Sequence, residues 1–135
     1  MLACAELFAE DLKSKNLNFT INEAADGDVV VKFPYDGKFT TFVFSGDEGR
    51  YVSMYTLFDS VPAERVSDVI ICCNSLNAMY KWLKFYVDKD NDLMIQDDAI
   101  ISQDTAAEEC FELLLRRINI LKDEKVRIMR AIYGL

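Results

Sequence analysis

The sequence predicts a single α+β domain in which helices pack on an antiparallel sheet. Its 135 residues fall within the usual size of one domain. Apolar residues recur at helical spacing in three segments, and the segments between them alternate with the period of a β-strand. No linker, low-complexity stretch or internal repeat divides the chain. We therefore expect one domain over residues 1–135, with the order α-β-β-β-β-α-β-β-α.

The first helix is predicted over Leu2 to Lys15, because apolar side chains fall at i, i+3, i+4 and i+7 along one side. After Asn16 the pattern changes to four β-rich runs, "NFTINEA", "DVVVKFPY", "KFTTFVFS" and "RYVSMYTLF". The stretches "ADGD", "DG" and "GDEG" between them favour tight turns, since glycine adopts positive φ without steric cost. Four antiparallel strands in a meander are expected.

A second helix follows Pro62, which suits a first helical turn, and ends near Met79. The runs "YKWLKFYV" and "DLMIQ" then predict two more strands.

The last helix is predicted to begin at a capping box from Thr105 to Glu108, in which the hydroxyl bonds the amide three residues on and the glutamate reaches back. It extends to about Tyr133, and an interruption at Lys122 to Lys125 is compatible with a bend. Its predicted apolar stripe runs through Phe111, Leu114, Leu115, Ile118 and Leu121.

The charge and the residue types exclude several classes of function. The formal net charge is −8, from 15 Lys and Arg against 23 Asp and Glu, so the field of the protein repels nucleic-acid phosphates and anionic lipid. No window approaches the roughly 20 apolar residues of a membrane span. Histidine is absent, which removes the common catalytic triads, histidine general bases and most zinc sites. We expect a protein partner, with no cofactor, catalytic site, nucleic acid or membrane.

The four cysteines indicate a reducing compartment. Cys72 and Cys73 are adjacent in an apolar helical pattern and no CxxC pair occurs, so they are interpreted as small core residues. Leu2-Ala3-Cys4 hints at a lipoprotein cleavage site, but no basic segment or apolar stretch precedes it. A cytoplasmic location is the expectation.

The alternating acids of Asp88 to Asp92 resemble the start of a calcium loop. Such a loop needs glycine at its sixth position and glutamate at its twelfth, where this chain has Leu93 and Ala99. The flanking residues also alternate with a strand period. We therefore interpret the stretch as the tip of a hairpin and expect no metal site.

The remaining charged pairs have simple interpretations. Asp97-Asp98, Glu108-Glu109 and Asp123-Glu124 are expected to be solvated, because adjacent acids on a helix or strand diverge. Arg116-Arg117 could bind an anion, but compensation of the negative helix end is the simpler explanation.

Large apolar residues are predicted on both faces of the sheet. On the fourth strand Tyr51 and Tyr55 face opposite to Val52 and Met54, and both sets are large. A face in contact with water should carry polar residues, so a helix, a second subunit or a bound polypeptide is expected to cover it. The candidate partner-binding or dimer surface consists of Tyr51, Tyr55, Trp82, Tyr86 and Met94.

The run "CNSLNAMYKWLKFYVDKDNDLMIQ" resembles the YbjN family. Asn74 and Asn77 match its helix-end asparagines, Trp82 and Phe85 match its aromatic strand, and Asp88 to Asp92 matches its acidic turn. The turn here lacks the glycine often found in the family. For the two asparagines, a local role in capping the helix end competes with ligand binding and is favoured.

The resemblance implies a small, dimerising, non-enzymatic domain, similar in fold to the class I chaperones of type III secretion. It implies a protein-interaction module, acting as a homodimeric regulator or a chaperone-like binder, with the second helix as the self-association surface. A class I secretion chaperone that binds an unfolded effector segment is the alternative within the same class. A small enzyme or ligand-binding domain of unrecognised type is the alternative from another class.

Overall fold

The computed structural model describes residues 1–135 as three long helices and six strands. The helices are α1 (Ala3–Ser14), α2 (Val66–Met79) and α3 (Ala106–Tyr133). The strands are β1 (Thr20–Glu23), β2 (Val29–Tyr35), β3 (Lys38–Ser45), β4 (Tyr51–Ser60), β5 (Lys84–Val87) and β6 (Asp92–Ile100). The predicted α+β class and element order are confirmed.

All six strands form one antiparallel sheet in the order β1-β2-β3-β4-β6-β5. Strands β1 to β4 form the predicted meander. The β2–β3 turn has positive φ at both central residues, 52° at Asp36 and 73° at Gly37, which is the backbone of a tight hairpin. After α2 the chain returns as the β5–β6 hairpin, and β6 pairs with β4.

All three helices pack on the same face of the sheet. The side chains that the long strands direct toward this face are therefore the buried ones. Two apolar clusters result. One lies beneath α1 and the start of α3, where the rings of Phe8 and Phe42 are 4.7 Å apart. The other lies beneath α2 and the rest of α3, around Leu76, Phe85 and Ile128.

A buried ion pair lies within the helix-covered layer. Arg117 of α3 and Asp97 of β6 are 1% and 2% exposed, and their side chains are in direct contact. The guanidinium also donates to Thr56 Oγ1 at 2.8 Å and to the main-chain carbonyls of Ile95 at 3.0 Å and Met54 at 3.1 Å. Desolvation raises the pKa of the Asp97 carboxyl, and the charge of Arg117 opposes that shift. The predictions that Asp97 is solvated and that Arg117 compensates a helix end are wrong.

The start and the course of α3 also differ from the prediction. A 3-10 turn at Gln103–Thr105 precedes the helix, and the Thr105 hydroxyl donates to the carboxylate of Glu109 instead of accepting from a helix amide. The capping box with Glu108 is therefore wrong.

The helix then continues unbroken through Lys122 to Lys125 as far as Tyr133. The prediction that Glu124 is solvated is wrong, because its side chain is buried and accepts a hydrogen bond from the Tyr80 hydroxyl at 2.9 Å. Leu115, predicted in the stripe, is exposed.

Candidate functional site

The second face of the sheet carries no helix, and we call it the open face. Its outward side chains are Val30, Lys32, Phe39, Thr41, Val43, Tyr51, Ser53, Tyr55, Leu57, Tyr86, Met94, Gln96, Asp98 and Ile100. None of them is buried, and several are large apolar groups in contact with solvent. Of the three kinds of cover expected for this face, a helix of the same chain is excluded.

The apolar residues of the open face form a row across four strands. Leu57 pairs with Met94, and Met94 pairs with Tyr86, while Phe39 extends the row on β3 next to Leu57. Phe39 is 56% exposed. The row borders a shallow depression of about 540 Å³. The Tyr86 hydroxyl donates to Gln96 Oε1 at 2.9 Å, which ties the Tyr86 side chain to β6.

Four of the five predicted surface residues lie together on the open face: Tyr51, Tyr55, Tyr86 and Met94. The fifth, Trp82, does not. The strand was predicted to include Trp82, but β5 begins only at Lys84 and Trp82 has a left-handed backbone with φ 69°. Its ring is 71% exposed and lies 5.1 Å from the guanidinium carbon of Arg116, on the side of α3.

The distal end of β6 forms an open sheet edge that the sequence did not indicate. β5 pairs only with residues 93–96, so residues 97–100 have no neighbour on that side. The Ile101 amide donates to the Arg50 carbonyl, so the main chain of Ile101 points toward β4. Because main-chain groups of successive strand residues point to opposite sides, those of Asp98 and Ile100 point toward the open edge. A groove of about 360 Å³ runs between this edge and α3 and includes Trp82 and Leu113.

The outer edge of β5, by contrast, is occupied by a side chain of α2. Asn77 donates through Nδ2 to the Phe85 carbonyl at 3.1 Å and accepts the Phe85 amide through Oδ1 at 2.7 Å. Asn74 is exposed and its side chain makes no hydrogen bond. The expected capping role is therefore wrong for both asparagines, since Asn77 pairs with a strand and Asn74 lies inside α2 before its last turn.

The stretch from Asp88 to Asp92 connects β5 and β6. One carboxylate oxygen of Asp88 accepts the amides of Asp90 at 2.9 Å and Asp92 at 3.0 Å, and Asn91 has φ 59°. Carboxylate oxygens of the three aspartates lie within 4.8 Å of one another. The predicted hairpin is present, and the absence of calcium binding stays a prediction.

The outer surface of α2 is mixed. Ile70, Ile71 and Met79 are exposed, with Ile71 68% exposed, and so are Ser67, Asp68 and Asn74. Cys73, on the inner surface, has a thiol whose pKa is raised to about 11 by burial. All four cysteines are unpaired thiols. None of the helices has the length and hydropathy needed to cross a bilayer.

Two solved structures that match the chain are complexes from type III secretion systems. The Yersinia pestis chaperone SycH, crystallised with a stable fragment of YscM2, matches with a TM-score of 0.52 and 10% identity, over 86% of this chain and 98% of that chain. A chain of the ExoU–SpcU heterodimer from Pseudomonas aeruginosa matches with a TM-score of 0.45 and 16% identity, over 96% of this chain and 98% of that one. The SycH match confirms the expected likeness of fold to a type III secretion chaperone.

No curated protein sequence matches the chain. The family model YbjN, described as "Putative bacterial sensory transduction regulator", matches residues 5–121. That match includes both helix-end asparagines, the aromatic β5 and the acidic hairpin. The chain therefore belongs to the YbjN family.

Proposed function

We propose that the protein is a non-enzymatic interaction module that binds a partner polypeptide on the open face. The apolar row of Phe39, Leu57, Met94 and Tyr86 carries the proposal, because soluble proteins rarely leave a contiguous apolar patch without a partner. Tyr51 and Tyr55 add amphipathic rings, which suit a surface that is wet in one state and covered in another.

The open edge of β6 supports the same function. An extended polypeptide can pair its main chain with the groups at Asp98 and Ile100, while its side chains contact the neighbouring face. Trp82 then contributes to the partner surface from the side of α3.

Of the two proposed roles, the family membership favours a regulator that acts by binding another protein. It favours this role more than that of a dedicated secretion chaperone. The SycH complex shows a protein of this fold engaged with a protein fragment, which is consistent with a chaperone-like mode of binding.

We also propose that the protein is a homodimer formed through α2. Ile70 and Ile71 are adjacent exposed apolar residues of α2, a helix that lies on the side of the sheet opposite to the open face. Self-association through α2 therefore leaves the partner surface accessible in both copies.

Co-purification from the native cell with matched variants tests the partner surface. Leu57→Asp should abolish capture of the partner, because it places a charge in the centre of the apolar row. Val126→Asp is the control, since Val126 is an exposed apolar residue of α3 remote from the open face. Equal capture by both variants would contradict the proposal.

Light scattering on a sizing column tests the dimer. The wild type should elute with the mass of a dimer at tens of micromolar, and Ile71→Glu should elute as a monomer, while Leu57→Asp remains dimeric. A monomer mass for the wild type would refute the dimer.

A further inference from the structure

A cavity of about 190 Å³ lies between the β2–β3 turn and the middle of α3. Its apolar walls come from Tyr35, Phe58, Ile118 and Leu121, and Asp36 is among the six polar or charged residues that line the rest. For comparison, an engineered apolar cavity of roughly 150 Å³ binds benzene. The cavity is therefore large enough for a single ring or a short branched chain.

Two buried hydroxyl groups, those of Thr40 and Thr56, also line this cavity. Their Oγ1 atoms are 3.1 Å apart, and Thr56 Oγ1 also accepts a hydrogen bond from Arg117. The two hydroxyls together have two protons, and only one of these protons is used between them. The second O–H has no acceptor in the protein, although a buried donor without a partner is costly. The cavity thus contains a donor that requires an acceptor.

The opening of the cavity is positively charged in a protein whose net charge is −8. Lys38, Lys122 and Lys125 surround it. Lys125 is paired with Asp36 at 2.7 Å, whereas Lys38 and Lys122 have no carboxylate partner. The Lys38 ammonium is held 4.8 Å from the centre of the Phe58 ring, which fixes it at the cavity wall.

We propose that this cavity binds a small carboxylate with a compact apolar body, such as an aromatic or branched short-chain acid. The carboxylate accepts the unused threonine proton and lies next to the ammonium groups of Lys38 and Lys122. The apolar body contacts Ile118 and Leu121. This site lies on the helix-covered side of the sheet and is independent of the open face.

Benzoate is the probe. Benzyl alcohol is the comparator that has the ring without the negative charge, and inorganic phosphate is the comparator that has negative charge without the ring. Titration of the isotope-labelled protein is followed through amide chemical shifts. Benzoate should cause saturable shifts at Thr40, Thr56 and Ile118 at millimolar concentrations, with both comparators weaker by about tenfold or more at constant ionic strength.

The double variant Lys38→Gln/Lys122→Gln should weaken benzoate binding by about tenfold, because both unpaired ammonium groups are lost. Lys89→Gln is the matched control, since Lys89 lies at the tip of the β5–β6 hairpin. Thr40→Val leaves the Thr56 proton free for the carboxylate and should change the affinity little, whereas Thr40→Val/Thr56→Val removes both donors and should weaken binding. If that variant does not fold, the lysine variants still decide the question.

Three results would overturn the proposal. They are the absence of saturable shifts at these amides, equal binding of benzoate and benzyl alcohol, and equal loss of affinity in the double variant and in Lys89→Gln. The first of these would mean that water alone satisfies the threonine proton.

Discussion

Replacing Arg117 by methionine tests the buried ion pair directly. The variant loses the contact with Asp97 and three hydrogen bonds, to Thr56 and to the carbonyls of Ile95 and Met54, while the Asp97 carboxylate stays buried. Breaking such a pair from one side costs about 3–5 kcal/mol in free energy of unfolding. Because domains of this size are stable by only about 5–15 kcal/mol, this loss should be a large fraction of the total.

The assay is urea denaturation followed by far-ultraviolet circular dichroism, because the exposed Trp82 is a poor reporter of the core. Arg130→Met is the control: Arg130 is exposed near the end of the same helix, so this change should stay within about 0.5 kcal/mol. The double variant Arg117→Met/Asp97→Leu should recover most of the loss, since no unpaired charge remains buried.

The loss in Arg117→Met should also depend on pH. Without the arginine, burial raises the pKa of Asp97 in the folded state above its unfolded value, so this group contributes stability below the unfolded pKa that is lost as pH rises through the folded pKa. The deficit relative to wild type should therefore shrink from about pH 7 to about pH 5. A loss below about 1 kcal/mol, or a double variant as unstable as the sum of the singles, would refute the reasoning.

The other predictions concern the edge, the hairpin and the tryptophan. Asn77→Ala should lower the free energy of unfolding by about 1–3 kcal/mol, because the Phe85 amide and carbonyl both lose their partner. In a thermal unfolding experiment on both variants, Asn74→Ala should be neutral. Equal effects would contradict the role of Asn77. Calcium should leave the unfolding midpoint unchanged, since a specific site at the hairpin would raise it by mass action. Fluorescence of Trp82 should shift to shorter wavelength when the partner binds, and an unaltered spectrum at saturation would remove Trp82 from the partner surface.

The element order was predictable because periodicity and turn residues report local structure, and this chain follows both. The same pattern failed at Arg117 and Asp97, because a one-dimensional period assigns every charge to solvent and cannot foresee two charges that neutralise each other across a helix and a strand. Trp82 was misplaced for a different reason. The predicted strand began at Tyr80, four residues before β5, and so included Trp82, whose backbone is left-handed.

The candidate surface could be predicted in part. The sequence indicated that the open face has large apolar residues, since the side-chain period of a strand is 2. It did not indicate whether a helix would cover them, because that depends on the side of the sheet to which each connection leads. The open edge of β6 depends on the length of β5 and the pairing register, neither of which is encoded in a local pattern.

The pairing of Asn77 with Phe85 has a consequence for the solubility of the folded protein. A bare strand edge is a template on which further copies can polymerise, and proteins commonly block it with charge, proline or a bulge. Here a single amide of α2 imitates one residue of a missing strand. If α2 detached from the sheet, the edge of β5 would be free to pair with another strand, next to the unpaired end of β6. Through Asn77 the helix therefore blocks strand pairing at Phe85.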